Sequence, residues 1–231
     1  MMINDEKKNW EAAMSTGKYF GCKDKYIEDL LERKSNKDVL DASLSAIGVI
    51  SGIHQGKYRK GFFNIKEEGY DWRMLEIGCG YGLYAAHFTH FVKEYIGVDV
   101  SETIVNIGNN SLNTVGISNA KLYVVNNCDL SFIPDNSIDF IFTAAVFIHT
   151  PLDVTKAYLR QTYTKLKSGG KFLHHFNVCS LEIGIHQSIW HVFTEKELDE
   201  MFDGTLLVRK DKFDNNCYAK NQCMRYVYGV K

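Results

Sequence analysis

The sequence has little of what would mark a chain for a membrane, for export or for a disulfide scaffold. No apolar run approaches the roughly 18 residues that a spanning helix needs, the longest being Phe140 to Ile148. The opening residues, Met-Met-Ile-Asn-Asp-Glu-Lys-Lys, lack the apolar core of a signal peptide. A soluble, cytoplasmic protein with no membrane partner is therefore expected. Charge of one sign is missing too: 27 basic against 28 acidic residues leave a net charge of −1. That balance supplies no global attraction for nucleic acid or an anionic surface, so no nucleic-acid partner is expected. The six cysteines, Cys22, Cys79, Cys128, Cys179, Cys217 and Cys223, show no CxxC spacing. A chain of 231 residues does not need staples, and reduced thiols are the expectation. There is no internal repeat and no low-complexity segment.

What is present suffices for one domain over residues 1–231 with a full core, since 45% of the residues are hydrophobic and 24% charged. Its organising stretch is Arg73-Met74-Leu75-Glu76-Ile77-Gly78-Cys79-Gly80-Tyr81-Gly82, an apolar run that ends in three alternating glycines. A buried strand can deliver the chain there, and glycines let the backbone turn with positive φ and approach a ligand closely. This is the pattern of a first strand and nucleotide loop in a doubly wound α/β fold. A dinucleotide site wants glycine at the sixth position from Gly78, where Leu83 stands. A pyrophosphate ligand, and with it a nicotinamide dehydrogenase, is disfavoured. Asp99 ends a second apolar run, Tyr95-Ile96-Gly97-Val98, about 20 residues on, where a carboxylate can accept hydrogen bonds from both ribose hydroxyls of a nucleoside.

Leu75-Glu76-Ile77-Gly78-Cys79-Gly80-Tyr81-Gly82, Gly97-Val98-Asp99-Val100-Ser101 and Asn127-Cys128-Asp129-Leu130 together resemble the motifs of the class I methyltransferases that use S-adenosylmethionine. The resemblance continues through Asp139-Phe140-Ile141-Phe142 and Leu166 to Phe172 and covers about residues 70 to 180. It implies an α/β, Rossmann-like seven-stranded sheet flanked by helices, with an antiparallel last strand and an N-terminal helical extension over 1–70 that can act as a lid. Strands are expected at 121–125, 137–143, 171–176, 206–208 and 217–228. Helices are expected over 24–34, 39–50, 81–91, 102–112, 154–167 and from the capping box at Thr194 to about Phe202. The helix over 81–91 would point its amino end at the cofactor carboxylate.

The resemblance also assigns the cofactor contacts. Glu76 meets the ammonium of S-adenosylmethionine, Gly78, Cys79 and Gly80 line it, and Asp99 with Val100 holds the ribose. Asp129 and the Leu130 amide read the adenine edge beside Cys128, and small Ala144 lets the sulfonium approach. For the acceptor, five histidines fall between 149 and 191. A base is needed if the acceptor is a hydroxyl, and histidine has the right pKa range. His149, His174, His186 and His191 are the candidates. His174 and its neighbour His175 point to opposite faces of one strand, so at most one of them enters a given pocket. No acidic pair or His-x-x-x-His spacing accompanies them, and no metal is expected. Neither the Asn/Asp-Pro-Pro-aromatic tetrad of amino methyltransferases nor the Pro-Cys nucleophile of cytosine C5 enzymes is present, the two prolines being Pro134 and Pro151. A small polar acceptor follows, most simply an oxygen of a sugar, a polysaccharide precursor or a secondary metabolite. N-methylation of a small amine or protein side chain stands as the alternative, and a catalytically silent nucleoside-binding domain as the alternative of another class.

Overall fold

The computed structural model describes residues 8, 11, 12, 28, 69–181, 184–187, 190–219 and 222–231, those at 186–187 and 211–219 by their backbone alone. The expected N-terminal helical extension lies almost wholly outside the described residues. The chain divides into two compact units, Met1–Val125 and Asn126–Lys231.

The first unit is built on three parallel strands in the order β3-β2-β1: β1 (Arg73–Ile77), β2 (Glu94–Asp99) and β3 (Ala120–Val124). Met74, Leu75, Ile77, Ile96 and Val98 are all buried, which is why β1 and β2 read as continuous apolar runs rather than alternating ones. Arg73 and Glu94, opposite each other in register, close the amino edge with an ion pair at 2.5 Å. After β1 only a short helix forms, α1 (Ala85–Phe88), in place of the expected helix over 81–91. Gly82 has φ +82°, a left-handed conformation that no α-helix contains, so residues 81–84 are turns instead. Helix α2 (Glu102–Thr114) begins where expected, its Ser101 hydroxyl accepting from the Ile104 amide at 3.3 Å. It packs close to the glycine loop because a Cβ on Gly108 would lie 2.7 Å from the Tyr81 carbonyl oxygen.

The second unit centres on β5 (Leu166–Cys179), longer at both ends than the expected 171–176. Along one edge it pairs in parallel with β4 (Ile138–Thr143) and, at Val178 and Cys179 only, with β7 (Trp190–Thr194). Along the other it pairs antiparallel with β9 (Gln222–Val230), which also carries β8 (Val208–Ala219). The hairpin β6 (Ile185–Gln187) to β7 adds two strands to the seven expected, giving nine among the described residues. Helices α3 (Leu152–Lys165) and α4 (Glu195–Asp203) cover one face, where Phe172, Phe176, Phe193 and Phe202 pack together. Each such ring contributes roughly 1.5–3 kcal/mol by burial. The capping box at Thr194 forms as read, Thr194 and Glu197 exchanging hydrogen bonds. The thiol expectation needs one correction: Cys223, which faces Cys217 in the β8–β9 register, is disulfide-bonded, whereas Cys79, Cys128 and Cys179 remain thiols. Adjacent antiparallel strands bring facing positions within disulfide reach without any CxxC spacing.

These elements make a mixed α/β fold with mainly parallel strands, flanking helices and antiparallel last strands. Among the described residues no helix is long and apolar enough to cross a membrane.

Candidate active site

In the first unit the glycine loop is pinned to the end of β2. The Gly78 and Cys79 amides both donate to the Val98 carbonyl, at 2.7 and 3.0 Å. Gly78 and Gly80 take φ of +73° and +54°, which keeps Cβ atoms off this surface. The half-buried Asp99 carboxylate accepts from the Gly80 amide through Oδ2 at 2.9 Å and from the Ser101 amide through Oδ1 at 3.0 Å. The Val100 amide bears on the same carboxylate, whose remaining acceptor capacity is open to an outside donor. Burial pushes the Asp99 pKa up, and the amides offset that only in part. Val100 follows, half-buried.

Glu76 is 1% exposed at the carboxyl end of β1, and its Oε2 has no hydrogen-bond partner. Burial first, and the Asp99 charge second, hold its pKa well above the usual carboxylate range. Such a group calls for a cationic partner. The Cys79 thiol is buried against the Gly80 carbonyl at 3.4 Å and pushed up in pKa by burial, so it packs rather than reacts. From the N-terminal region Glu11 reaches the start of α2. Burial raises its pKa, but hydrogen bonds with Thr103, Ser101 and the Glu102 and Thr103 amides outweigh this and leave it below the ordinary value.

In the second unit Asn127 and Cys128 take successive left-handed conformations, φ +52° and +59°, which turn Asp129 outward. Asp129 is exposed, its Oδ1 accepting from the Ser131 amide at 2.9 Å, a bond that lowers its pKa. Cys128 and Leu130 are buried behind it. At the end of β4, Ala144 is buried and Ala145 exposed with φ +57°.

The histidines separate by face. His174 lies on the helix-covered face between the Thr143 and Thr162 hydroxyls, at 3.4 and 3.2 Å from its two ring nitrogens, with Phe147 and Phe172 against the ring. Burial lowers its pKa to about 3. Both nitrogens are engaged and the side chain is 0% exposed, an environment that does not suit the base expected at His174. His191 is buried on that same face, stacked with Phe193, which in turn meets Phe176. His186 stands opposite His191 in the β6–β7 register, and its side chain lies outside the described residues. His149 remains: it is half-buried, with the Trp190 ring edge-on at 5.8 Å.

His175, which was not among the candidates, faces the other way from His174. Its Nδ1 accepts from the Ala145 amide at 2.9 Å and its ring stacks on Tyr226 at 4.5 Å. The signal lay in strand alternation, but only the structure shows which face the helices occupy. Among the described residues no group of three or more His, Cys, Asp or Glu is placed to hold a metal ion.

The chain is similar to known methyltransferases over part of its length. Residues 75–174 match the methyltransferase domain family. The chain is 36% identical over 101 residues to the uncharacterized methyltransferase YcgJ of Bacillus subtilis (strain 168), covering 44% of this chain and 39% of that protein. It is 34% identical over 104 residues to the ubiquinone/menaquinone biosynthesis C-methyltransferase UbiE of Edwardsiella ictaluri (strain 93-146), covering 44% and 41%. The chain thus spans about two fifths of the length of these curated relatives. In fold it matches the crystal structure of the B. subtilis YcgJ protein with a TM-score of 0.58 at 21% identity, over 73% of this chain and 95% of that one. It also matches geranyl diphosphate C-methyltransferase from Streptomyces coelicolor A3(2), solved with Mg2+, geranyl diphosphate and S-adenosyl-L-homocysteine, with a TM-score of 0.62 at 11% identity over 72% and 74%. Residues 75–174 thus match a methyltransferase domain, and the fold is the Rossmann-like one of the methyltransferase structures compared.

Proposed function

We propose that the chain transfers the methyl group of S-adenosylmethionine to an oxygen of a small polar acceptor, a sugar, polysaccharide precursor or secondary metabolite. The observation that carries the donor half is Glu76, a buried carboxylate with an unpartnered oxygen at the end of β1. A cation satisfies it, and the amino-acid end of S-adenosylmethionine supplies one. Gly78 and Gly80 leave room for that end, the Cys79 thiol being turned into the core, and Asp99, aided by Val100, takes the ribose hydroxyls on its remaining acceptor capacity. By family resemblance Asp129 and the Leu130 amide receive the adenine, Cys128 packs on it, and Ala144 gives the sulfonium room. When bound, the cofactor supplies an activated methyl whose transfer leaves a neutral thioether. The protein's task is alignment of acceptor, methyl and sulfur. His149 accepts the hydroxyl proton as the new O–C bond forms.

The relatives supply a second reading. UbiE and geranyl diphosphate methyltransferase are named as C-methyltransferases, so a carbon acceptor competes with oxygen. Release of S-adenosylhomocysteine is to be followed with pooled small metabolites, and the methylated product identified by mass and NMR. An O-methyl product supports the proposal and a C- or N-methyl product replaces its acceptor half. No turnover with any pool favours a silent nucleoside-binding domain.

A further inference from the structure

Among the described residues, the edge of β5 that carries β4 and β7 has no strand between Leu173, the last partner of β4, and Val178, the first partner of β7. The end of β4 and the loop after it are tied to β5 there: the Ala145 amide donates to His175 Nδ1, and the His175 amide donates to the Thr143 hydroxyl. The same loop is tied to β7, where the His191 amide donates to the Ile148 carbonyl, and Asn177 Nδ2 donates to the His191 carbonyl. His149, Trp190, His175 and Asn177 are thereby gathered around one notch.

Two polar atoms there are unsatisfied. His175 is 2% exposed and its Nε2 has no partner; Asn177 is 0% exposed and its Oδ1 has none. Because Nδ1 of His175 accepts from Ala145, the ring proton is on Nε2, which makes that atom a donor. Two residues apart on one strand, the side chains share a face, with their Cα atoms about 6.6 Å apart. Buried polar groups are paired as a rule, and a donor and an acceptor both left open on one face call for a ligand group that accepts and donates. A hydroxyl does both. Burial also lowers the His175 pKa to about 4, aided by His149, so the ring stays neutral.

We propose that His175 and Asn177 anchor a second hydroxyl of the acceptor, not the one methylated, His175 Nε2–H donating to its oxygen and Asn177 Oδ1 accepting its proton. This rests on the methyl-transfer reading for the identity of the ligand as acceptor. The held hydroxyl is not the reacting one, because its proton is bound at Asn177 and His175 has no free nitrogen to take it. The acceptor class is a small polyhydroxylated molecule carrying a diol, with Tyr226 under the imidazole and Trp190 beside His149 as apolar walls. Both residues position the substrate and set specificity.

The test uses the full chain with methyl α-D-glucopyranoside, myo-inositol and catechol as probes, each against its fully O-methylated counterpart, by saturation-transfer NMR. At least one diol is expected to bind and its ether not to. His175→Phe and Asn177→Leu are each expected to weaken that binding about tenfold, while His175→Gln, which keeps an N–H donor and guards against misfolding of the phenylalanine variant, retains part of it. Affinity for S-adenosylmethionine by calorimetry should be the same in all three. Equal binding of diol and ether, unchanged diol binding in the variants, or no diol bound by the unsubstituted chain overturns the proposal. Failure of the unsubstituted chain to bind S-adenosylmethionine would defeat the methyl-transfer reading, and the diol titrations would still report on the notch.

Discussion

The glycine loop of the first unit and the notch of the second both bury polar groups without partners, but they do so with opposite chemistry. At the loop the open group is an acid, Glu76, whose protonated form is favoured by burial. At the notch the open groups are neutral, a histidine N–H and an amide oxygen, and His175 itself resists protonation. A carboxylate that regains its charge only beside a cation suits a donor carrying an ammonium. Neutral groups that neither give nor take a full charge suit an uncharged acceptor. The two regions are therefore selective by the sign of what they leave unmet.

The strongest way to break this comparison is to remove the one group assigned to proton transfer. His149→Ala should lower kcat for an oxygen acceptor by roughly 10²–10⁴-fold and leave calorimetric affinity for S-adenosylmethionine unchanged; equal turnover would remove the base. Next, Asp99→Ala deletes the proposed ribose acceptor and the tie to Gly80. Cofactor affinity should fall about 100-fold or more, and unchanged affinity would defeat the ribose placement.

The acid limb of stability sharpens the contrast. Unfolded histidine binds a proton below about 6.5, but His174 does so in the fold only near 3 and His175 only near 4. Stability is therefore fully present above pH 6.5 and lost as pH falls towards 3, by an amount on the order of a few kcal/mol. His174→Gln, which can still meet both threonine hydroxyls, should flatten that fall in thermal melts taken from pH 7 to 4. A fall of the same steepness would mean that His174 is not shielded. The smallest effect has the reverse sign. Between its unfolded pKa and its raised folded one, Glu76 keeps a proton in the fold that the unfolded chain gives up, so stability without cofactor declines as pH rises above 4.5. Glu76→Gln should remove that decline and raise stability at pH 8 by about 1–3 kcal/mol, seen as a higher Tm, while weakening cofactor binding. A lower Tm at pH 8 would show that the carboxylate already has its charge satisfied.

How much of this was legible beforehand depended on the kind of signal. β1, the three glycines and β2 were readable because burial on both faces writes an unbroken apolar run and positive φ selects glycine. Ser101 and Thr194 announced their helices because capping is local chemistry. The helix over 81–91 was misjudged because helical spacing does not reveal that Gly82 turns left-handed. His174 and His175 were separable by alternation, but which face the helices cover is decided by α3 and α4, residues distant in sequence. The hairpin of β6 and β7 escaped because strands of three and five residues leave too little alternation to read, and the disulfide at Cys223 because 217–228 reads as one strand where the structure has two, β8 ending at Ala219 and β9 beginning at Gln222. The notch itself has no sequence signature, for it is the gap between the pairing spans of β4 and β7.

The position of β9 has a consequence for how the chain is made. β5 ends at Cys179, yet the antiparallel strand that covers one of its edges begins only at Gln222 and also carries β8. During synthesis at about 5–20 residues per second, β5 therefore waits several seconds for its partner with a row of amides and carbonyls open to the solvent. Closure of the second unit is then a late, long-range event, and a ribosome stalled shortly before Gln222 would present a bare sheet edge, the kind of surface that chaperones shield and neighbouring chains extend.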